Sequence, residues 1–116
     1  MCLGIILTDI KALPQVKVAD VGSTVNLSCD TRDVVQLWTF SSTSYVTETH
    51  TVYEHPNVTY RFMERYSASR SSLTIKHVQL CDAGNYRCSY PSDDDLDTDI
   101  IQLIVLGMYH ILFVLL

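Results

Sequence analysis

Apolar and polar residues alternate through much of the chain. Val25, Leu27 and Cys29 interleave with Thr24, Asn26 and Ser28, the period of two expected of a half-buried strand. Gly22 and Ser23 mark a turn just before it. Residues 34–40 form a second strand candidate around the single tryptophan, Trp38. Residues 45–53 are rich in Thr, Val and Tyr and predict one or two short strands at a sheet edge. Leu73, Thr74 and Ile75 alternate again, and residues 85–90 and 100–106 read as two further strands. Pro91, Ser92, Asp93, Asp94 and Asp95 separate that last pair as a polar loop. No segment before residue 100 sustains a helical period, and no internal repeat is present. Short, closely spaced strands with turn residues between them predict an all-β sandwich or barrel.

Composition narrows the class. A chain of 116 residues with 47% hydrophobic and 18% charged content has room for one domain and is too apolar for a disordered segment. Thirteen acids against eight bases give a net charge of −5, which argues against nucleic acid as a partner. There is no Gly-x-Ser-x-Gly elbow, phosphate loop or His-Glu-x-x-His, so the reading is non-enzymatic. His50, His55, His77 and His110 are scattered and imply no metal site. Asp93, Asp94, Asp95, Asp97 and Asp99 crowd the predicted loop, but the glycine and terminal glutamate of an EF-hand are missing. Such a run reads as a solvated hairpin able to meet a basic surface, and no cofactor is implied.

Cys2, Cys29, Cys81 and Cys88 allow three complete pairings. Their spacing does not suit zinc, and oxidising surroundings are the better reading. Two sequons agree with this, one at Asn26 followed by Leu27 and Ser28, the other at Asn57 followed by Val58 and Thr59. Together they predict an extracellular or cell-surface glycoprotein. Residues 2–7 form a short apolar run without the flanks of a complete signal peptide. Residues 108–116 form an apolar tail, about 14 Å long if helical, which is half a bilayer core. The tail is expected to promote aggregation and is a candidate, incomplete means of membrane association.

The run Asp82, Ala83, Gly84, Asn85, Tyr86, Arg87 and Cys88 resembles the Asp-x-Gly-x-Tyr-x-Cys signature of the immunoglobulin superfamily. Residues 22–29 resemble that family's first-cysteine strand, and Leu73, Thr74 and Ile75 resemble its strand E. The resemblance covers roughly residues 16–106 and implies a Greek-key sandwich of two antiparallel sheets. It implies a V-like domain, V-set or I-set, with a reduced C′/C″ region. Residues 1–15 are then a leader remnant or strand A, and 107–116 the tail. It further implies a Cys29–Cys88 bridge with Trp38 packed on it, and a tyrosine corner at Tyr86. Arg61 stands at the offset of the arginine that opens strand D, so an Arg61–Asp82 ion pair is expected. For Cys2 and Cys81 a second bridge, a spare thiol and pairing to another chain all stay open. The absent glycine-rich strand G motif argues against a rearranging receptor.

The family implies recognition of a protein partner, including another immunoglobulin-like domain, by the sheet of strands C, F and G. With Trp38 and Cys88 inward, Leu37 and Thr39 point outward on C, and Arg87 and Ser89 on F. Gln102, the polar position of an apolar run, is expected outward on G together with Ile100 and Ile104. Leu37, Ile100 and Ile104 then form an exposed strip, with Arg87 nearby and Tyr45 or Tyr53 at its edge, the composition of an interface centre. A bulge in strand G would reverse that parity and bury the isoleucines. The competing reading is a structural spacer, or a fragment, of a multi-domain adhesion protein.

Overall fold

The computed structural model describes residues 15–42, 48–93 and 95–107. Among these residues nine strands form two sheets: β1 (Gln15–Asp20), β2 (Val25–Ser28), β3 (Leu37–Ser42), β4 (Thr49–Glu54), β5 (Asn57–Val58), β6 (Tyr66–Ala68), β7 (Ser72–Ile75), β8 (Gly84–Pro91) and β9 (Leu96–Leu106). The larger sheet has the order β1-β9-β8-β3-β4-β5, and the smaller β2-β7-β6. This is the all-β immunoglobulin-like sandwich. One pair departs from the antiparallel expectation: β1 runs parallel to β9, from Gln15 beside Ile101 to Asp20 beside Leu106. The turn after β1 then passes the chain to β2 in the other sheet. A two-residue β5 forms the edge beyond β4.

Alternation explains the core. In β2 and β7 every second residue is buried, so Val25, Leu27, Leu73 and Ile75 meet Trp38, Tyr86, Cys88 and Leu103 from the opposite sheet. Burying such side chains stabilises the fold by about 1.5–3 kcal/mol each before entropy is counted. The Cys29–Cys88 disulfide joins the sheets across 59 residues of sequence. On a chain-entropy model that closure is worth about 4 kcal/mol. Cys81 is disulfide-bonded as well, and a bridge to Cys2 involves a residue outside the described segments.

Three local differences from the sequence-based expectations bear on function. The strand around Trp38 begins at Leu37 rather than residue 34, although Val35 just before it is buried. Strand β9 begins at Leu96, because Ser92 N–H closes the hairpin on the Asp95 carbonyl at 2.7 Å. Asp97 and Asp99 therefore lie on a strand and not in the loop. At the other end of the sandwich, residues 60–62 form a 3₁₀ turn, and β6 starts only at Tyr66. The arginine that opens this strand is Arg65, so the expected Arg61–Asp82 pair is replaced by Arg65–Asp82 at 2.8 Å. Arg61 is exposed and its Nη1 lies 3.2 Å from His50 Nδ1.

Candidate functional site

The lower end of the sandwich holds the densest polar network. Asp82 is buried and accepts from Arg65, from the Tyr66 hydroxyl at 2.7 Å and from Gln79 N–H at 2.8 Å. The Tyr86 hydroxyl donates to the Asp82 carbonyl at 2.6 Å. Burial alone would raise the Asp82 pKa, but these hydrogen bonds and the Arg65 charge outweigh it and hold the carboxyl below its ordinary range. Burial pushes the Tyr66 and Tyr86 phenols well up. Every group here is engaged by another, so the cluster fastens the start of β6 to the turn ahead of β8. A cleft of about 400 Å³ beside it is lined by Arg61, His50, Glu64 and Phe62 among others.

The upper end has no metal chemistry among the described residues. Cys29, Cys88 and Asp99 converge, but both sulfurs are spent in the disulfide. Asp99 instead accepts from Asp30 N–H at 3.0 Å and ties β9 to the end of β2. The Asp93, Asp95 and Asp97 side chains are exposed around the β8–β9 hairpin.

The outer face of the larger sheet is different in character. Arg87 on β8 stands beside Thr39 on β3 and Ile100 on β9, and Asn85 beside Ser41 and Gln102. Directly paired residues share a face, so Ile100 and Ile104 belong to the same outer face as Arg87. Both are half-buried, while their neighbours Ile101 and Leu103 point into the core. Leu37 is half-buried on the same face, between Ser89 and Glu54. Beyond β9, Val16 and Val18 on β1 pair with Gln102 and Ile104 and are 57% and 53% exposed. These valines extend the apolar strip and were not singled out from sequence. Val16, Lys17 and Val18 do alternate, but without knowledge of the β1–β9 pairing that signal has no address.

Three expectations for this face need correction. Tyr53 is not at its edge: β3 pairs Trp38 with Tyr53 but Thr39 with Thr51, leaving Val52 as an extra residue. That bulge turns both Val52 and Tyr53 into the core, where burial raises the Tyr53 phenol pKa. Gln102 takes the outward register yet is only 3% exposed, on β9 between β1 and β8. Ser89, expected outward, is buried as well. Tyr45 lies outside the described residues.

Asn26 and Asn57, the two sequon asparagines, are both exposed. Asn26 Oδ1 accepts from the Thr74 hydroxyl at 3.0 Å across the β2–β7 pair. Asn57 sits on the short edge strand β5. Neither shares the β8–β9 region of the outer face.

Among the described residues no helix is long and apolar enough to cross a membrane. No curated protein matches the chain. Among solved structures, the second immunoglobulin domain of the mouse polymeric immunoglobulin receptor is similar, with a TM-score of 0.57 and 18% identity. The match covers 80% of this chain and 96% of that one, and at this identity it speaks for the fold alone. The family model described as immunoglobulin domain matches residues 9–90, well over half of the sequence. With its two-sheet sandwich and inter-sheet disulfide, the chain belongs to the immunoglobulin-domain family.

Proposed function

We propose that this chain is a non-enzymatic extracellular recognition module that binds a protein partner through the outer face of its larger sheet. The observation that carries this reading is the outward strip of Leu37, Ile100 and Ile104, continued by exposed Val16 and Val18, with Arg87 among them. Aliphatic side chains around an arginine are what an interface centre is built from. Immunoglobulin domains commonly bind proteins, and another domain of this class is the partner such a sheet face suits. Disulfide and sequons support a secretory-pathway address, with the recognition unit spanning residues 16–106.

Leu37→Glu and Ile104→Glu, made separately and together, test the reading. Self-association is measured by analytical ultracentrifugation and heterophilic binding by staining of cells with multimerised protein. Loss of binding with the melting temperature held is the expected result. Collapse of stability in both single variants would make these residues core. Unimpaired binding in the double variant would leave the face without a role, and absence of any binding by the parent chain would favour a structural spacer.

A further inference from the structure

Within this face lies a small polar notch whose chemistry is one-sided. Thr39 and Ser41 from β3, Thr49 from β4, Asn85 and Arg87 from β8 and Ile100 from β9 surround a depression of about 180 Å³. The sheet register sets them there: Arg87 stands between Thr39 and Ile100, and Ser41 between Asn85 and Thr49. The Ser41 and Thr49 hydroxyls are 3.0 Å apart. When one donates to the other, the accepting hydroxyl keeps its own proton for a ligand. Asn85 can add amide N–H donors, and Arg87 a guanidinium with five. No carboxylate lines the notch. The ion pairs formed among the described residues, His50 with Glu48 and Arg65 with Asp82, do not involve Arg87.

Surroundings sharpen the selection. Among the described residues, Arg87 is the one charged side chain at the outward positions of β3, β8 and β9, whose other members are Leu, Ile, Thr, Ser, Asn, Gln and Pro. A cationic group would meet the like charge of Arg87, with only neutral hydroxyl and amide oxygens and no carboxylate to accept from it. A carboxylate would meet a fork of guanidinium N–H groups flanked by hydroxyls, the geometry in which arginine binds best. Ile100 supplies a wall against which the methylenes of an acidic side chain can pack. On the same face Gln102, the β9 neighbour of Asn85, pairs with Val16 on β1, and Val18 pairs with Ile104, so a partner that reaches the notch has apolar surface to cover farther along the sheet.

We propose that the Arg87 notch receives an aspartate or glutamate side chain of the protein partner and fixes the register of the interface. This rests on the reading of the outer face as a recognition surface. It adds what the partner must carry: an acidic residue bordered by apolar ones.

The test is an NMR titration of the ¹⁵N-labelled full chain with capped glutamate (N-acetyl, N-methylamide), with capped glutamine as neutral control and glucuronate as sugar acid. Saturable shifts of the Arg87 side-chain Nε–H and of the Thr39 and Ile100 amides are expected with capped glutamate and absent with capped glutamine. Arg87→Gln should abolish them at an unchanged melting temperature, and Arg87→Lys should weaken binding at least about threefold by losing the fork. Equal shifts with capped glutamine, or shifts that survive in R87Q, overturn the proposal. Saturation by glucuronate with none by capped glutamate overturns it in favour of an acidic glycan. The two readings fail separately. A silent titration alongside binding that Ile104→Glu abolishes removes the notch alone. A positive titration alongside binding that Ile104→Glu leaves intact removes the apolar face alone.

Discussion

Arg65 grips Asp82 through two hydrogen bonds, Nη1 to Oδ2 at 2.8 Å and Nη2 to Oδ1 at 2.9 Å. The same Nη1 lies within 3.2 Å of the Lys76 carbonyl and 3.3 Å of the His77 carbonyl. One side chain thus fastens the start of β6 to the turn ahead of β8. Arg61, four residues earlier in the chain, makes none of these contacts.

Substitution should separate the two arginines. Arg65→Ala leaves a buried carboxylate without its cation and is expected to cost about 2–3 kcal/mol, less than a fully buried pair because the arginine is partly exposed. That corresponds to a melting temperature lower by roughly 10 °C. Arg61→Ala should cost less than about 0.5 kcal/mol. Urea denaturation of both variants decides it, and equal losses would restore Arg61 as the partner.

The depressed pKa of Asp82 makes a signed prediction for pH. A carboxyl that ionises more readily when folded contributes stability above its unfolded value, about 4, and loses it as pH falls through the lower folded value. The stability gap between the parent and Asp82→Asn should be full at pH 7 and shrink steadily below about pH 4. Denaturant melts across that range give the gap directly. A gap independent of pH would mean that the charge of Asp82 contributes nothing.

Gly84 begins β8 at φ +153°, a conformation that residues with a Cβ rarely adopt. A Cβ there would overlap the Ser41 carbonyl oxygen and lie 2.8 Å from the Phe40 ring. Gly84→Ala should therefore destabilise by about 2–3 kcal/mol, from strain and overpacking together. Gly22→Ala has open space around its Cβ and bears only the strain of φ +90°, so its cost should be the smaller. Thermal melts of the two variants rank them.

Glycosylation should favour Asn57 over Asn26 when the chain is made in a secretory host. Asn57 lies on a two-residue edge strand, whereas Asn26 sits in a paired strand with its side-chain oxygen already bonded to Thr74. Glycopeptide mass spectrometry should find higher occupancy at Asn57. The reverse order would mean that modification precedes β2–β7 pairing.

Much of the sandwich was legible in the residues. Alternation marked β2 and β7, and the turn signals bounded them, because side-chain parity along a strand is a local property of extended backbone. The run from Asp82 to Cys88 located β8, its tyrosine and its cysteine; the pairing with Cys29 came from resemblance and not from spacing. The strip of Ile100 and Ile104 followed from taking Gln102, the polar position of its run, as outward, which sets the parity of its neighbours two residues away.

What the tertiary structure decided involves segments distant in sequence. Arg65 rather than Arg61 meets Asp82 because the turn at residues 60–62 delays the start of β6, and an offset counted along the chain cannot register that delay. Tyr53 enters the core because β4 bulges opposite Trp38, a feature set by how β4 packs on β3 and not by its own alternation. Val16 and Val18 join the outer face of the larger sheet only because residues 15–20 pair with residues 101–106 at the far end of the chain. Alternation orders the side chains within each strand, whereas contacts between distant segments determine which strands meet, in what register, and where the pattern breaks.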